Sequence, residues 1–192
     1  KAVLFFLKLL QVHKKITFHA TSIQEKETIE KQFGKVKIEI ANNLPDFNQP
    51  TLETITKVEG KLKIIFIARI VEIKNLLLLL KNLSTINHNI QLTIAGPTED
   101  ENYWLQCKKI IENLPKNILI NYFGEITPQE VMPLIKEHHL YCLPTLGENF
   151  GHSIFEAFMV GRPVLISNKT PWLNLYHQQA GWDVDIAQEN CL

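Results

Sequence analysis

The strongest constraint on this chain is a set of five short, almost unbroken apolar runs separated by stretches of helical periodicity. The runs are IIFIA (Ile64–Ala68), IQLTIA (Ile90–Ala95), NILINYF (Asn117–Phe123), LYCLP (Leu140–Pro144) and PVLIS (Pro163–Ser167). Runs that do not alternate with polar residues suit strands buried on both faces, as in a parallel sheet. Asn75–Leu83, Asp100–Asn113, Pro128–Glu137, Ser153–Val160 and Pro171–Gln179 have the length and apolar spacing of amphipathic helices. For the last of these, Thr170 and Pro171 read as N-cap and first helical residue, with Gly181 as a stop signal. Strand and helix in alternation imply crossover connections and an α/β fold with a doubly wound parallel sheet.

The first part of the chain repeats this rhythm in short form. A helix is expected up to about Val12, then a strand over Ile16–Ala20. A second helix opens at Ser22, with Glu25 three residues on in a capping-box pattern. Val36–Ala41 reads as another strand. The polar stretch that follows carries Pro45, Pro50 and Gly60, the composition of a linker. The sequence therefore divides into residues 1–43, the closing part of one α/β unit, a linker over 44–60, and a second α/β domain over 61–192. It starts without Met, inside a predicted helix, and is expected to be a piece of a longer protein.

Composition narrows the function. A chain 45% hydrophobic and 21% charged has the apolar surface for a core and is not a disordered segment. Lys+Arg 20 balances Asp+Glu 20, so no global field draws it to nucleic acid or an anionic membrane. Cys107, Cys142 and Cys191 are odd in number and scattered, which gives neither a disulfide framework nor a zinc pattern and fits a reducing compartment. The apolar opening Ala2–Leu10 is interrupted by Lys8 and falls far short of the ~20 residues that span a bilayer. No G-x-G-x-x-G follows a strand, and P-loop and G-x-S-x-G patterns are absent. His138 and His139 are adjacent and would face opposite sides of a strand, so no metal site is expected.

An open parallel sheet binds ligands beyond the carboxyl ends of its strands. The richest segment in such a place is PTLGENFGHSIFEAF, Pro144–Phe158. Gly147 and Gly151 permit tight turns and close approach of a ligand. The helix start that follows turns the amides of Asn149, Phe150, Gly151, His152 and Ser153 toward the mouth of the sheet, an arrangement suited to phosphate. Arg69 follows the first strand of the second domain, and Lys74 lies five residues further on. They read either as two added positive charges at this mouth or as solvated surface charges. Glu148 and Glu156 are strong acceptors for sugar hydroxyls. They read equally as a helix-dipole partner and a solvated helix residue. Glu156, however, sits between Phe155 and Ala157-Phe158, where a carboxylate requires a partner. Gly96 and Ile126 follow the second and third strands, and Trp172 reads as a core or interface residue.

The segment GENFGHSIFEA (147–157), followed by Gly161-Arg162-Pro163-Val164-Leu165-Ile166-Ser167, resembles the E-x7-E signature of retaining glycosyltransferases of the GT-B fold, in particular family 4, the group 1 glycosyltransferases. IIFIARI with Lys74-Asn75, Gly96-Pro97, Tyr122-Phe123-Gly124 and Leu143-Pro144-Thr145 resemble further elements of that family. The resemblance covers about residues 61–186. Residues 1–43 resemble only the last part of the family's N-terminal domain, and Gly151 stands where many members have proline.

The resemblance implies a Rossmann-like C-terminal domain that binds a nucleotide-sugar donor, UDP- or GDP-linked, with no cofactor and no metal. Arg69 and Lys74 would grip the diphosphate, Glu148 and the backbone of Asn149–His152 the sugar and phosphates, and Glu156 the ribose. The base would lie near Gly96 and Ile126. Arg69, Lys74 and Glu148 are the implied catalytic groups. The implied reaction is hexosyl transfer with retention to a glycan or lipid-linked acceptor, in bacterial surface polysaccharide synthesis. The missing part of the N-terminal domain would be its partner. The implied location is cytoplasmic, with peripheral association of the full-length protein at the inner face of the membrane left open. A non-catalytic nucleotide-sugar-binding regulatory module and a sugar-nucleotide epimerase of the same fold also remain open on these residues.

Overall fold

The computed structural model describes residues 9–21, 23–41 and 54–187. The chain forms two compact units, Lys1–Asp46 and Phe47–Leu192. In the first, β1 (Thr17–Ala20) and β2 (Lys37–Ile40) pair in parallel from Thr17↔Lys37 to Ala20↔Ile40, with α1 (Ile23–Phe33) as the crossover. The ring of Phe33, at the end of α1, lies 5.0 Å from that of Phe18 on β1. The expected capping residue Ser22 lies outside the described residues. Glu25 closes the entry to α1 through Thr21, accepting from its amide at 2.7 Å and its hydroxyl at 2.6 Å. These two bonds hold the Glu25 carboxyl below the usual range. Of the helix expected up to Val12, residues 1–8 are not described, and Val12–Lys14 form a 3-10 turn after a left-handed Gln11.

The second unit runs β3 (Lys61–Ile67), α2 (Leu76–Leu83), β4 (Asn89–Ala95), α3 (Glu101–Ile111), β5 (Ile118–Gly124), α4 (Pro128–Lys136), β6 (Leu140–Leu143), α5 (His152–Met159), β7 (Val164–Ser167) and β8 (Gly181–Val184). Six parallel strands form one sheet in the order β5-β4-β3-β6-β7-β8. The apolar runs explain its centre. Ile64–Ile67 of β3, Leu92–Ala95 of β4 and Tyr141–Leu143 of β6 are all buried, with Leu76, Leu79, Leu80 and Leu83 of α2 in the same core. The helix starts follow from the caps. Asp100 accepts from the Tyr103 amide at 2.9 Å, and Glu130 accepts from the amide and hydroxyl of Thr127, each at 2.7 Å, with Pro128 in the first turn of α4.

Five expectations are corrected. Pro171–Gln179 is a run of turns and no α-helix. Asn174 and Gln179 take left-handed backbones (φ 60° and 54°), and the amides of Asn174 and Leu175 donate to Asp183 rather than along a helix. Thr170 accepts from the Trp172 amide at 3.2 Å in a local turn, not a helix cap. Gly181 opens the strand β8 rather than stopping a helix. NILINYF is not buried on both faces, because β5 is an edge strand with Leu119 and Phe123 exposed. The register slips there, from Ile94↔Tyr122 to Ala95↔Gly124, so Phe123 is the extra residue of a bulge. Finally, His138 and His139 precede β6. His138 is buried, with Nδ1 bonded to the Leu134 carbonyl and Nε2 to Thr93 Oγ1, both at 2.7 Å, and burial lowers its pKa.

Leu80 is fully buried under the sheet. Leu80→Ala should destabilise the second unit by about 2–5 kcal/mol. Urea denaturation followed by fluorescence of the buried Trp104 checks this.

Candidate functional site

Counted from β3, the strand order of the second unit is 3-2-1-4-5-6. The chain leaves β3 toward β4 on one side and returns at β6 on the other, so connections diverge above the carboxyl ends of β3 and β6. That crevice is where a doubly wound sheet can admit a ligand. Arg69 and Lys74 follow β3, and Glu148 follows β6.

Lys74 and Glu148 meet across the crevice. Lys74 Nζ donates to Glu148 Oε2 at 2.5 Å, and the two side chains are only 14% and 17% exposed. Both backbones are fixed. The Ile73 carbonyl accepts from the Leu146 amide at 2.7 Å and from Thr145 Oγ1 at 2.9 Å, stitching the β3 loop to the β6 loop. Ser167 Oγ of β7 donates to the Thr145 carbonyl, and the Glu148 amide donates to the Lys169 carbonyl at 3.1 Å. Arg69 is more open. Its Nη1 donates to Glu99 Oε2 at 2.7 Å, with side chains 56% and 44% exposed.

The helix α5 begins at His152 with Gly151 as N-cap in a left-handed conformation, φ 79°. A Cβ at Gly151 would come within 2.7 Å of Ile154 Cδ1 and 3.2 Å of Glu148 Cγ. The left-handed backbone favours glycine here, and its lack of a side chain lets the helix start lie against the Glu148 side chain. The Ile154 and Phe155 amides already bond the Gly151 carbonyl, while those of His152 and Ser153 have no acceptor inside the helix. Ser153 Oγ pairs with the Tyr141 hydroxyl at 2.6 Å, and that hydroxyl donates to the Ile67 carbonyl at 3.1 Å. This anchors the first turn of α5 to β6 and β3. Burial pushes the Tyr141 hydroxyl far up its range, so it stays protonated as a donor.

Trp172 holds the loop from the far side. Its indole Nε1 donates to the Phe150 carbonyl at 2.5 Å, and its ring packs with Phe150, Phe155 and Phe158 at centroid distances of 5.5, 6.1 and 5.3 Å. The sequence offered no signal for this role, because Trp172 lies in a turn region far from the loop along the chain. Asn149 and His152 are exposed at the mouth.

Glu156 lies on α5, one turn inside the helix, half-buried. Among the described residues its carboxylate has no hydrogen-bond or ion-pair partner, and burial raises its pKa. On the β4 and β5 side, the Gly96 amide donates to the Gly124 carbonyl at 2.7 Å, and the Tyr122 hydroxyl donates to the Gly96 carbonyl at 3.2 Å. Gly96 has φ 137°, and a Cβ there would fall 2.0 Å from the Ala68 carbonyl oxygen. Ile126 is half-buried two residues beyond Gly124. Arg162 is at the other end of the sheet, where it donates to the Lys136 carbonyl at the end of α4 at 2.7 Å. A cavity of about 750 Å³ lies at that end, lined by Thr54, Ile55, Leu62, Arg162 and Trp182 among others. Among the described residues no group of three or more His, Cys, Asp or Glu could hold a metal ion.

The second unit is thus a doubly wound α/β domain with a cation–carboxylate pair beside a helix start at its switch point. The chain belongs to the glycosyl transferases group 1 family, whose model matches residues 49–176. No curated protein sequence matches it. Solved structures with the same fold include a glycosyltransferase from Rickettsia africae ESF-5, at 17% identity and TM-score 0.73, covering 96% of this chain and 53% of that one. Anabaena Alr3699/HepE, solved with UDP and glucose, aligns at 15% identity and TM-score 0.71, covering 88% and 49%. WaaG, a glycosyltransferase involved in lipopolysaccharide biosynthesis, aligns at 14% and 0.70, covering 90% and 50%. The fold is that of the GT-B glycosyltransferases, and the chain spans about half the length of these structures.

The raised pKa of Glu156 has a consequence for stability. Its folded value exceeds its unfolded value, so its contribution to stability declines as pH rises from the unfolded value through the folded one. Glu156→Gln should therefore raise the melting temperature above that window and leave it nearly unchanged below. Melting curves of both proteins across the acidic to neutral range check this.

Proposed function

We propose that this chain is the donor-binding part of a glycosyltransferase that moves a hexosyl unit from a nucleotide-diphosphate sugar with retention at the anomeric carbon. The observation that carries this reading is the Lys74–Glu148 pair at the β3/β6 switch point, against the first turn of α5. It places a cation, a carboxylate and unbonded helix amides within one crevice. Membership of the group 1 family supports it, as do the E-x7-E spacing of Glu148 and Glu156 and the UDP and glucose bound by the Anabaena protein.

In this reading the diphosphate lies over the β3 loop and the start of α5. As the sugar–phosphate bond breaks, negative charge grows on the leaving diphosphate. Arg69, Lys74 and the amides of His152 and Ser153 stabilise that charge, and because their backbones are already fixed they do so with little reorganisation. Glu148 accepts hydroxyl hydrogens of the sugar, which becomes oxocarbenium-like. Glu156 accepts from the ribose hydroxyls, which compensates a half-buried carboxylate that otherwise lacks a partner. The base lies by Gly96 and Ile126, with UDP favoured over GDP by the ligands of the Anabaena structures. A leaving-phosphate oxygen takes the acceptor proton. The acceptor is a glycan or lipid-linked sugar of a bacterial surface polysaccharide, a reading that leans on WaaG.

Binding can be tested on the chain itself. UDP at 100 times its dissociation constant should stabilise the second unit by about 2.7 kcal/mol. Lys74→Gln and Arg69→Gln should each weaken UDP binding, and Glu148→Gln should weaken a UDP-sugar more than UDP. Calorimetry reads all three, and unchanged melting with millimolar UDP, GDP and ADP would overturn the site.

Turnover should need more than this chain. Group transfer requires the acceptor oxygen within about 3–3.5 Å of the anomeric carbon. We assign that task to a facing domain. Residues 1–192 should then bind donor without acceptor-dependent nucleotide release, whereas the full-length protein should show it. Equal rates in a coupled nucleotide-release assay would refute the two-wall mechanism.

A further inference from the structure

Arg69 and Lys74 each have their own carboxylate, and the two pairs differ in kind. Lys74–Glu148 is largely enclosed and pinned by loops on both sides. Arg69–Glu99 is exposed, 56% and 44%, and joined through one nitrogen, Nη1. A guanidinium carries five donors in a planar fork, so this single bond leaves most of its capacity open to a second anion. An exposed pair of this type is worth only about 0.2–1 kcal/mol, so a multivalent anion can displace the carboxylate.

The backbone beneath Glu99 is not free to move with it. Gly96–Asp100 is the loop between β4 and α3, and it is tied to the residue after Arg69. The Ile70 amide donates to the Pro97 carbonyl at 2.8 Å, Ile70 and Thr98 form a parallel bridge, and the Asp100 amide donates to the Ile70 carbonyl at 3.4 Å. Asp100 is itself engaged as the cap of α3. Only the Glu99 side chain can swing, and its anchor keeps it within reach of Arg69 throughout.

We infer that Glu99 is a built-in counter-anion of the donor site, which competes with the diphosphate for Arg69. It gives way when the diphosphate arrives and takes Arg69 back as the nucleoside diphosphate leaves. It thereby raises the dissociation rate of the product and discriminates against weakly charged anions, which cannot outcompete a tethered carboxylate. Glu99 is a positioning residue in this account, acting through Arg69. The inference rests on the donor-site reading above.

The test is a double-mutant cycle on the 192-residue chain with UDP as the probe, by calorimetry and stopped-flow displacement. Glu99→Gln keeps the shape and removes the charge. It should tighten UDP binding by about 1.5- to fivefold, the equivalent of the exposed pair's strength, mainly through slower dissociation. The gain should shrink as salt rises. In an Arg69→Gln background the same change should give no gain. Unchanged or weaker UDP binding by Glu99→Gln would make the pair a structural surface contact and overturn the inference. A gain that persists without Arg69 would reduce Glu99 to a general field effect, which also overturns it. UDP binding by Arg69→Gln equal to wild type, or no UDP binding by wild type at millimolar concentration, would instead remove the donor-site reading and this inference with it.

Discussion

The rest of the second unit depends on one strand being hydrogen-bonded on both sides. β3 pairs with β4 over seven residues and with β6 through Ile64↔Leu140 and Ile65↔Tyr141. Because β4 is reached by one crossover and β6 only after the chain has returned, the loops above β3 and β6 must part. The opening is a consequence of sheet order and requires no side chain to create it. The side chains decide what it holds. Lys74 and Glu148 come from the two loops that part, so their ion pair exists only when β3 and β6 are neighbours.

A set of bonds to backbone carbonyls converts that opening into a defined shape. Ile73, Ile67, Thr145 and Phe150 each offer a carbonyl to a side chain from another element: Thr145, Tyr141, Ser167 and Trp172. These bonds join the loops to one another and to the strands beneath them. Groups fixed in this way are aligned before any ligand arrives. Gly151 completes the arrangement by allowing α5 to start against Glu148.

The alternation of strands and helices was largely legible in the residues, and the failures have specific causes. The apolar runs marked β3, β4, β6 and β7, and the helices α2 to α5 lie within a few residues of their expected bounds. Lys74 and Glu148, which the structure brings together, stand out in the sequence because glycines, carboxylates and cations cluster after those runs. Pro171–Gln179 misled because Thr-Pro mimics a helix start, whereas Asp183 draws two of its amides away. β8 was missed because Gly181–Val184 is short and carries that same aspartate. β5 read as buried because hydrophobicity does not tell an edge from a centre. The Trp172–Phe150 and Arg69–Glu99 contacts join residues distant in sequence, for which no local pattern exists.

The bulge in β5 has a meaning for the chain as a material. An outermost strand of the described sheet that bears Leu119 and Phe123 on its surface is a template on which another chain can add a strand. Phe123, inserted without a partner between Tyr122 and Gly124, interrupts the regular ladder that such growth needs. The irregularity sits at the carboxyl end of β5, next to the glycine that bonds Gly96. The same irregularity, beside the Gly96–Gly124 bond, interrupts the ladder on which edge-to-edge pairing depends, and straightening it would present a more regular edge.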